Sequence, residues 1–155
     1  MVVRNESQAL CVAVEMEKRA VRVYERALML AENCAVSKGI KEILKDEQEH
    51  LKRFSQMREG CACDPQEDRV LIQAMGADVL FSGGVMEMER AKALATLKGL
   101  YEFAIDSEYD AMKKYAEFAD KCENQSIREA FLAIASEEAS HYAELQRKLN
   151  ELDGE

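Results

Sequence analysis

Apolar residues recur at spacings of three and four through four long segments of the chain, the period of an amphipathic α-helix. In the first segment, over about 7–32, Leu10, Ala13, Val14, Val21, Tyr24 and Leu28 form one stripe, with Asn5 or Ser7 placed to cap it. The second starts after 33–37, runs to Glu59 and turns Ile40, Ile43, Leu44, Leu51 and Phe54 inward. The third begins at Thr96 and continues to about Lys121 with Leu97, Tyr101, Ala104, Ile105, Met112 and Tyr115 on one face. The fourth follows a short loop at 123–125, takes Ser126 as its cap and carries Ile127, Phe131, Ile134 and Leu145 toward the core. A connector over 60–84, opened by Cys61-Ala62-Cys63-Asp64-Pro65 and closed by Ser82-Gly83-Gly84, separates the second and third segments. Pro65 opens a short helix through Met75 within it, and 86–95 either extends the third helix upstream or forms a separate turn. A connection of this length lets the third helix return parallel to the second. The pattern therefore predicts one all-α domain over 1–155, an antiparallel four-helix bundle with one long crossover between its second and third helices.

Four glutamates break the pattern by sitting on the apolar stripes: Glu17, Glu47, Glu108 and Glu138. A carboxylate on a buried face is costly unless it is protonated or paired. The only two histidines of the chain, His50 and His141, follow Glu47 and Glu138 by three residues. Three helical steps turn about 300°, which leaves carboxylate and imidazole on neighbouring ridges within reach of one point. The two Glu-x-x-His units are 91 residues apart, and the same offset matches Glu17 with Glu108 and Tyr24 with Tyr115. Each half of the chain thus carries one copy of a functional pattern.

Two glutamates from two helices and two Glu-x-x-His pairs from the other two are the ligand set of dinuclear carboxylate sites in four-helix bundles. Four carboxylates converging in a low-dielectric core repel one another, and without cations most would take up protons. Two divalent ions neutralise them. The expected ligands are Glu17, Glu47, His50, Glu108, Glu138 and His141, with Glu47 and Glu138 bridging and a coordination position left for dioxygen or peroxide. Oxygen and imidazole donors without a thiolate suit iron or manganese rather than structural zinc. Tyr24 and Tyr115, seven residues after the terminal glutamates, are read either as donors to a glutamate of the opposite half or as ordinary core aromatics. Asp46 and Glu137, four residues before each histidine, also face it or are exposed. A single Glu-x-x-His would read as a surface salt bridge; the duplicate separates the metal site from that reading and from a metal-free bundle.

Composition narrows the partners. A formal charge of −9, with basic residues scattered among acidic ones, disfavours nucleic acid and anionic membranes. The longest weakly charged run, 70–86, contains Asp78 and three glycines and does not span a bilayer. The N-terminus does not read as a signal peptide, since Glu15 and Glu17 interrupt its apolar stretch. Five cysteines, with Cys61 and Cys63 read as loop thiols, point to a reducing cytoplasm. A homodimer is expected from further apolar surface on bundles of this size.

Glu17, Tyr24, Glu47-x-x-His50, Glu108, Tyr115 and Glu138-x-x-His141 together resemble the rubrerythrin branch of the ferritin-like superfamily, over about 7–149. Glu49-His50-Leu51-Lys52-Arg53-Phe54 and Tyr115-Ala116-Glu117-Phe118-Ala119 are similar to rubrerythrin stretches. The resemblance implies a ferritin-like bundle with two iron ions that reduces hydrogen peroxide, or oxidises ferrous iron with dioxygen or peroxide. Related members bind or store iron without turnover, which is the alternative function. Typical rubrerythrins add a rubredoxin domain with two Cys-x-x-Cys pairs, and no such pair occurs here. Electrons are therefore expected from a separate rubredoxin-like or flavin protein. The extra glutamate that those proteins carry one turn after the third-helix ligand is here Ala111, so a more symmetric centre is implied.

Overall fold

Among the described residues, five helices form where the apolar periodicity runs, and each long one starts at a residue whose side chain takes over a free backbone N–H. The computed structural model describes residues 3–31, 33–76 and 94–154. Helix α1 (Glu6–Leu30) is capped by Asn5, whose side chain accepts from the Gln8 N–H. Helix α2 (Cys34–Glu59) is capped in the same way by Asn33, α4 (Leu97–Ala119) by Thr96 and α5 (Gln125–Asp153) by Asn124. The cap of α5 corrects the expected Ser126, which lies inside the helix. Asn124 accepts from the Ile127 N–H at 3.2 Å, and it stands 91 residues after Asn33, as Thr96 stands 91 after Asn5. Duplication extends to the caps.

Helices α1 and α2 pack as one hairpin and α4 and α5 as another. Gly39 near the start of α2 lies so close to Leu100 near the start of α4 that an added Cβ would sit 3.1 Å from the leucine side chain. The two helices therefore run parallel, as a long connection between them requires. An all-α bundle of ferritin-like type is the result, with no strand among the described residues. Residues 77–84 of the expected connector and most of the 86–95 segment lie outside the described residues.

Helix α3 (Pro65–Gly76) lies within the connection and explains a departure from the expected single stripe on α1. Every residue of α1 from Gln8 to Val14 is buried, on all sides of the helix. Leu71 and Met75 of α3 cover the outer side, in one cluster with Ala9, Leu10, Val12 and Ala13. Pro65 stands at the first helical position, with the Asp64 side chain accepting from the Gln66 N–H at 2.9 Å. Polar contacts fix the attachment: Arg58 of α2 pairs with Asp68, and Gln8 donates to Glu67.

Two apolar clusters fill the bundle. One gathers Phe54, Tyr115, Phe118 and Phe131, whose ring centroids lie 5.0–6.4 Å apart. The other holds Val21, Tyr24, Ile40, Leu44, Leu100, Ala104 and Leu145. By sequence position on their helices, the four stripe glutamates fall between these clusters, so dry packing on both sides sets the dielectric around them. No described helix is long and apolar enough to cross a membrane.

Candidate metal centre

The six expected ligands meet at one interior place. Glu17, Glu47, His50, Glu108 and Glu138 are each at most 6% exposed. Donor atoms of Glu17, Glu47, His50 and Glu138 lie within 4.8 Å of one another, as do those of Glu108, Glu138 and His141. Glu138 belongs to both groups and joins them. The two imidazoles stack with centroids 6.2 Å apart and planes 22° from parallel. Neither group contains a cysteine, and all five thiols are free. Of the two carboxylates expected to bridge, Glu138 reaches both groups in this geometry and Glu47 one.

Electrostatics follow from burial. Glu17 is pushed well above the usual carboxylate range, first by loss of water and then by the charge of Glu47. Glu138 rises to about 7, again through burial and then the charge of Glu47, with His50 pulling the other way. Burial would lower His50, but its contact with Glu138 and the charges of Glu47 and Glu137 outweigh that and raise it. The cluster holds protons that a cation would displace.

The unpartnered atoms show what the cluster fits. Among the described residues, five buried side-chain nitrogen or oxygen atoms have no hydrogen-bond partner, and four of them belong here: Glu17 Oε2, His50 Nδ1, Glu108 Oε2 and Glu138 Oε1. Such atoms normally find a partner, because an unsatisfied buried polar group costs roughly 1–3 kcal/mol. His50 Nδ1 and Glu138 Oε1 are 2.7 Å apart without hydrogen-bond alignment, as expected of two lone pairs directed at a common third point. Two divalent cations, one in each group of oxygen and nitrogen donors, answer all four.

Asp46 and Glu137 take roles that their spacing left open. Each pairs with the histidine of the opposite helix: Glu137 Oε2 lies 3.0 Å from His50 Nε2, and Asp46 Oδ2 lies 3.3 Å from His141 Nε2. With the outer nitrogen held as a donor, Nδ1 is the lone-pair nitrogen and faces the glutamates, 3.8 Å from Glu17 in one half and 3.7 Å from Glu108 in the other. The available signal was the 91-residue offset, which relates Asp46 to Glu137 as it relates the ligands. The exchange between helices was invisible, since i−4 spacing points at the residue's own histidine.

The two tyrosines differ. Tyr115 donates to Glu17 Oε1 at 2.6 Å, a bond from one half of the chain to the other. Tyr24 is equally buried but hydrogen-bonds with Ser107, and Glu108 Oε2 has no partner. Ala111 packs against the aromatic cluster and offers no ligand. Tyr115→Phe is expected to weaken metal binding about tenfold, because Glu17 loses the group that orients it. The metal-free protein should lose about 1 kcal/mol for the missing buried hydrogen bond. Metal titration and thermal melting of the variant check both numbers.

The halves also differ in access. The His50 side chain is 3% exposed and the His141 side chain 31%. Residues 100–155, which carry Glu108, Tyr115, Glu138 and His141, match the family model described as Rubrerythrin. Nothing matches among curated proteins or among solved structures.

Proposed function

We propose that this chain, whose residues 100–155 match the family model described as Rubrerythrin, is a dinuclear-metal oxidoreductase that reduces hydrogen peroxide or oxidises ferrous iron with dioxygen or peroxide. The observation that carries this reading is the convergence of four unpartnered, buried donor atoms from four helices on two adjoining groups that share Glu138. Glu17, Glu47, His50, Glu108, Glu138 and His141 hold the metals, iron by preference of the donor set and manganese by the same chemistry. Two iron ions there would supply two electrons together, the number that takes peroxide to water. The chain's own part is to hold and orient. Tyr115 fixes Glu17, and Glu137 and Asp46 fix the imidazoles. Aromatic packing at Phe54, Tyr115 and Phe131 excludes water from one side. Electrons come from a separate rubredoxin-like or flavin protein, and the chain works in the cytoplasm as a homodimer.

Anaerobic reconstitution with ferrous iron, followed by peroxide, tests the reading. The expected result is about two bound irons per chain that reoxidise on peroxide addition far faster than free ferrous ion. Bound iron that reoxidises no faster contradicts the enzyme and leaves a binding or storage protein, for which a large hollow assembly on size exclusion is the companion observation.

A further inference from the structure

Glu108 and His141 are also the floor of a surface cavity of about 100 Å³ between α2, α4 and α5, whose mouth is formed by Gly39, Glu42, Asp46, Tyr101, Glu144 and Lys148. We propose that this cavity is the entrance through which hydrated divalent cations reach the cluster, with Lys148 as a competing cation that limits the rate; the inference rests on the metal reading above.

Glu108 makes the cavity more than an acidic patch. Its side chain is 3% exposed, and its Oε2, buried and without a partner, belongs to a residue that lines the space. An arriving cation therefore finds a free lone pair at the end of the path. The mouth carries three carboxylates, Glu42, Asp46 and Glu144, against one ammonium. Such a cleft concentrates counter-ions and raises their association rate. Arg147 pairs with Glu144 and lowers its pKa, so that carboxylate stays ionised while part of its charge is offset. Glu42 is the freer acid: among the described residues it pairs with Lys148 alone, whose Nζ stands 3.8 Å from Glu42 Oε2. A cation entering beside Glu42 must compete with that ammonium.

The opposite half shows why the path lies on this side. Glu137, the counterpart of Asp46, is held by Arg53 Nη1 through both oxygens at 2.8 and 3.0 Å. A cation approaching the buried His50 there meets a guanidinium first. At His141 the equivalent carboxylate faces an acidic mouth.

Cobalt(II) uptake by the metal-free full chain, followed by stopped-flow absorbance at low ionic strength, tests the entrance. Glu42→Gln should slow uptake about threefold to tenfold, and Lys148→Met should accelerate it by a similar factor, both differences shrinking in high salt. Final stoichiometry and affinity should match the native chain, and Glu129→Gln, near the far end of α5, should change nothing. A fold defect cannot produce the acceleration. If the native chain and both mouth variants load fully at one rate, the entrance is wrong and the metal site stands. If the native chain takes up no cobalt, the metal reading falls and the entrance with it.

Discussion

Glu138→Gln is expected to erase metal-induced stabilisation while leaving the metal-free protein at least as stable as the native one at pH 8. Glu138 is the one carboxylate shared by both groups of donor atoms, so its loss damages both positions together. In the native chain, two sites filled at about a hundred times their dissociation constants add roughly 5 kcal/mol. For a domain of this size that corresponds to a melting temperature higher by roughly 10–20 °C. The variant should show little of this shift. Without metal the sign reverses, since an ionised Glu138 is unfavourable in the fold and glutamine of nearly the same shape removes the charge. Melting curves of both proteins, with chelator and with manganese, check the pair of effects. A variant that loses stability equally in both conditions would mean that Glu138 serves only the fold.

The second large effect is a reversal of pH dependence on metal binding. Glu138 moves from 4.5 in the unfolded chain to about 7 in the fold, and Glu17 is raised in the same direction. Between these values the folded state binds more protons than the unfolded state, so stability falls as pH rises. For Glu138 alone the loss from pH 4.5 to above 7 is on the order of 3 kcal/mol. His50 adds to it with the same sign: its folded pKa is raised above 6.5, so its contribution is full below 6.5 and is lost as pH climbs through the raised value. Metal-free protein should therefore melt highest near pH 5 and several degrees lower at pH 8. Bound cations replace those protons, so stabilisation by metal should grow over the same interval. Parallel pH series of melting temperature, with and without metal, provide the test. A metal-free protein as stable at pH 8 as at pH 5 would contradict the proton-holding cluster.

Much of this is legible in the sequence, for a specific reason. Helical periodicity fixes which residues share a face, and the 91-residue duplication marks which departures from that periodicity are functional: Glu17 with Glu108, Glu47 with Glu138, His50 with His141. The same offset carried Asn5 to Thr96 and, applied to Asn33, would have found the Asn124 cap in place of Ser126. Contacts between helices were not readable, because they depend on the relative height and rotation of neighbours. Asp46 could not be assigned to His141, nor Glu137 to His50, from spacing along one helix. Tyr24 and Tyr115 occupy matching positions, yet one reaches a glutamate and the other Ser107. Burial of α1 on all sides required knowing that α3 folds back over it. The open mouth at His141 and the guanidinium at His50 likewise arise from residues outside the duplicated pattern, Lys148 and Arg53.

An anomalous difference map from crystals of the protein loaded with manganese or iron tests the dinuclear centre most directly. Two peaks roughly 3.5–4 Å apart, one beside His50 and one beside His141 with Glu138 between them, are the expected result. No peak inside the bundle, or peaks only at the cysteines or at surface carboxylates, would contradict it.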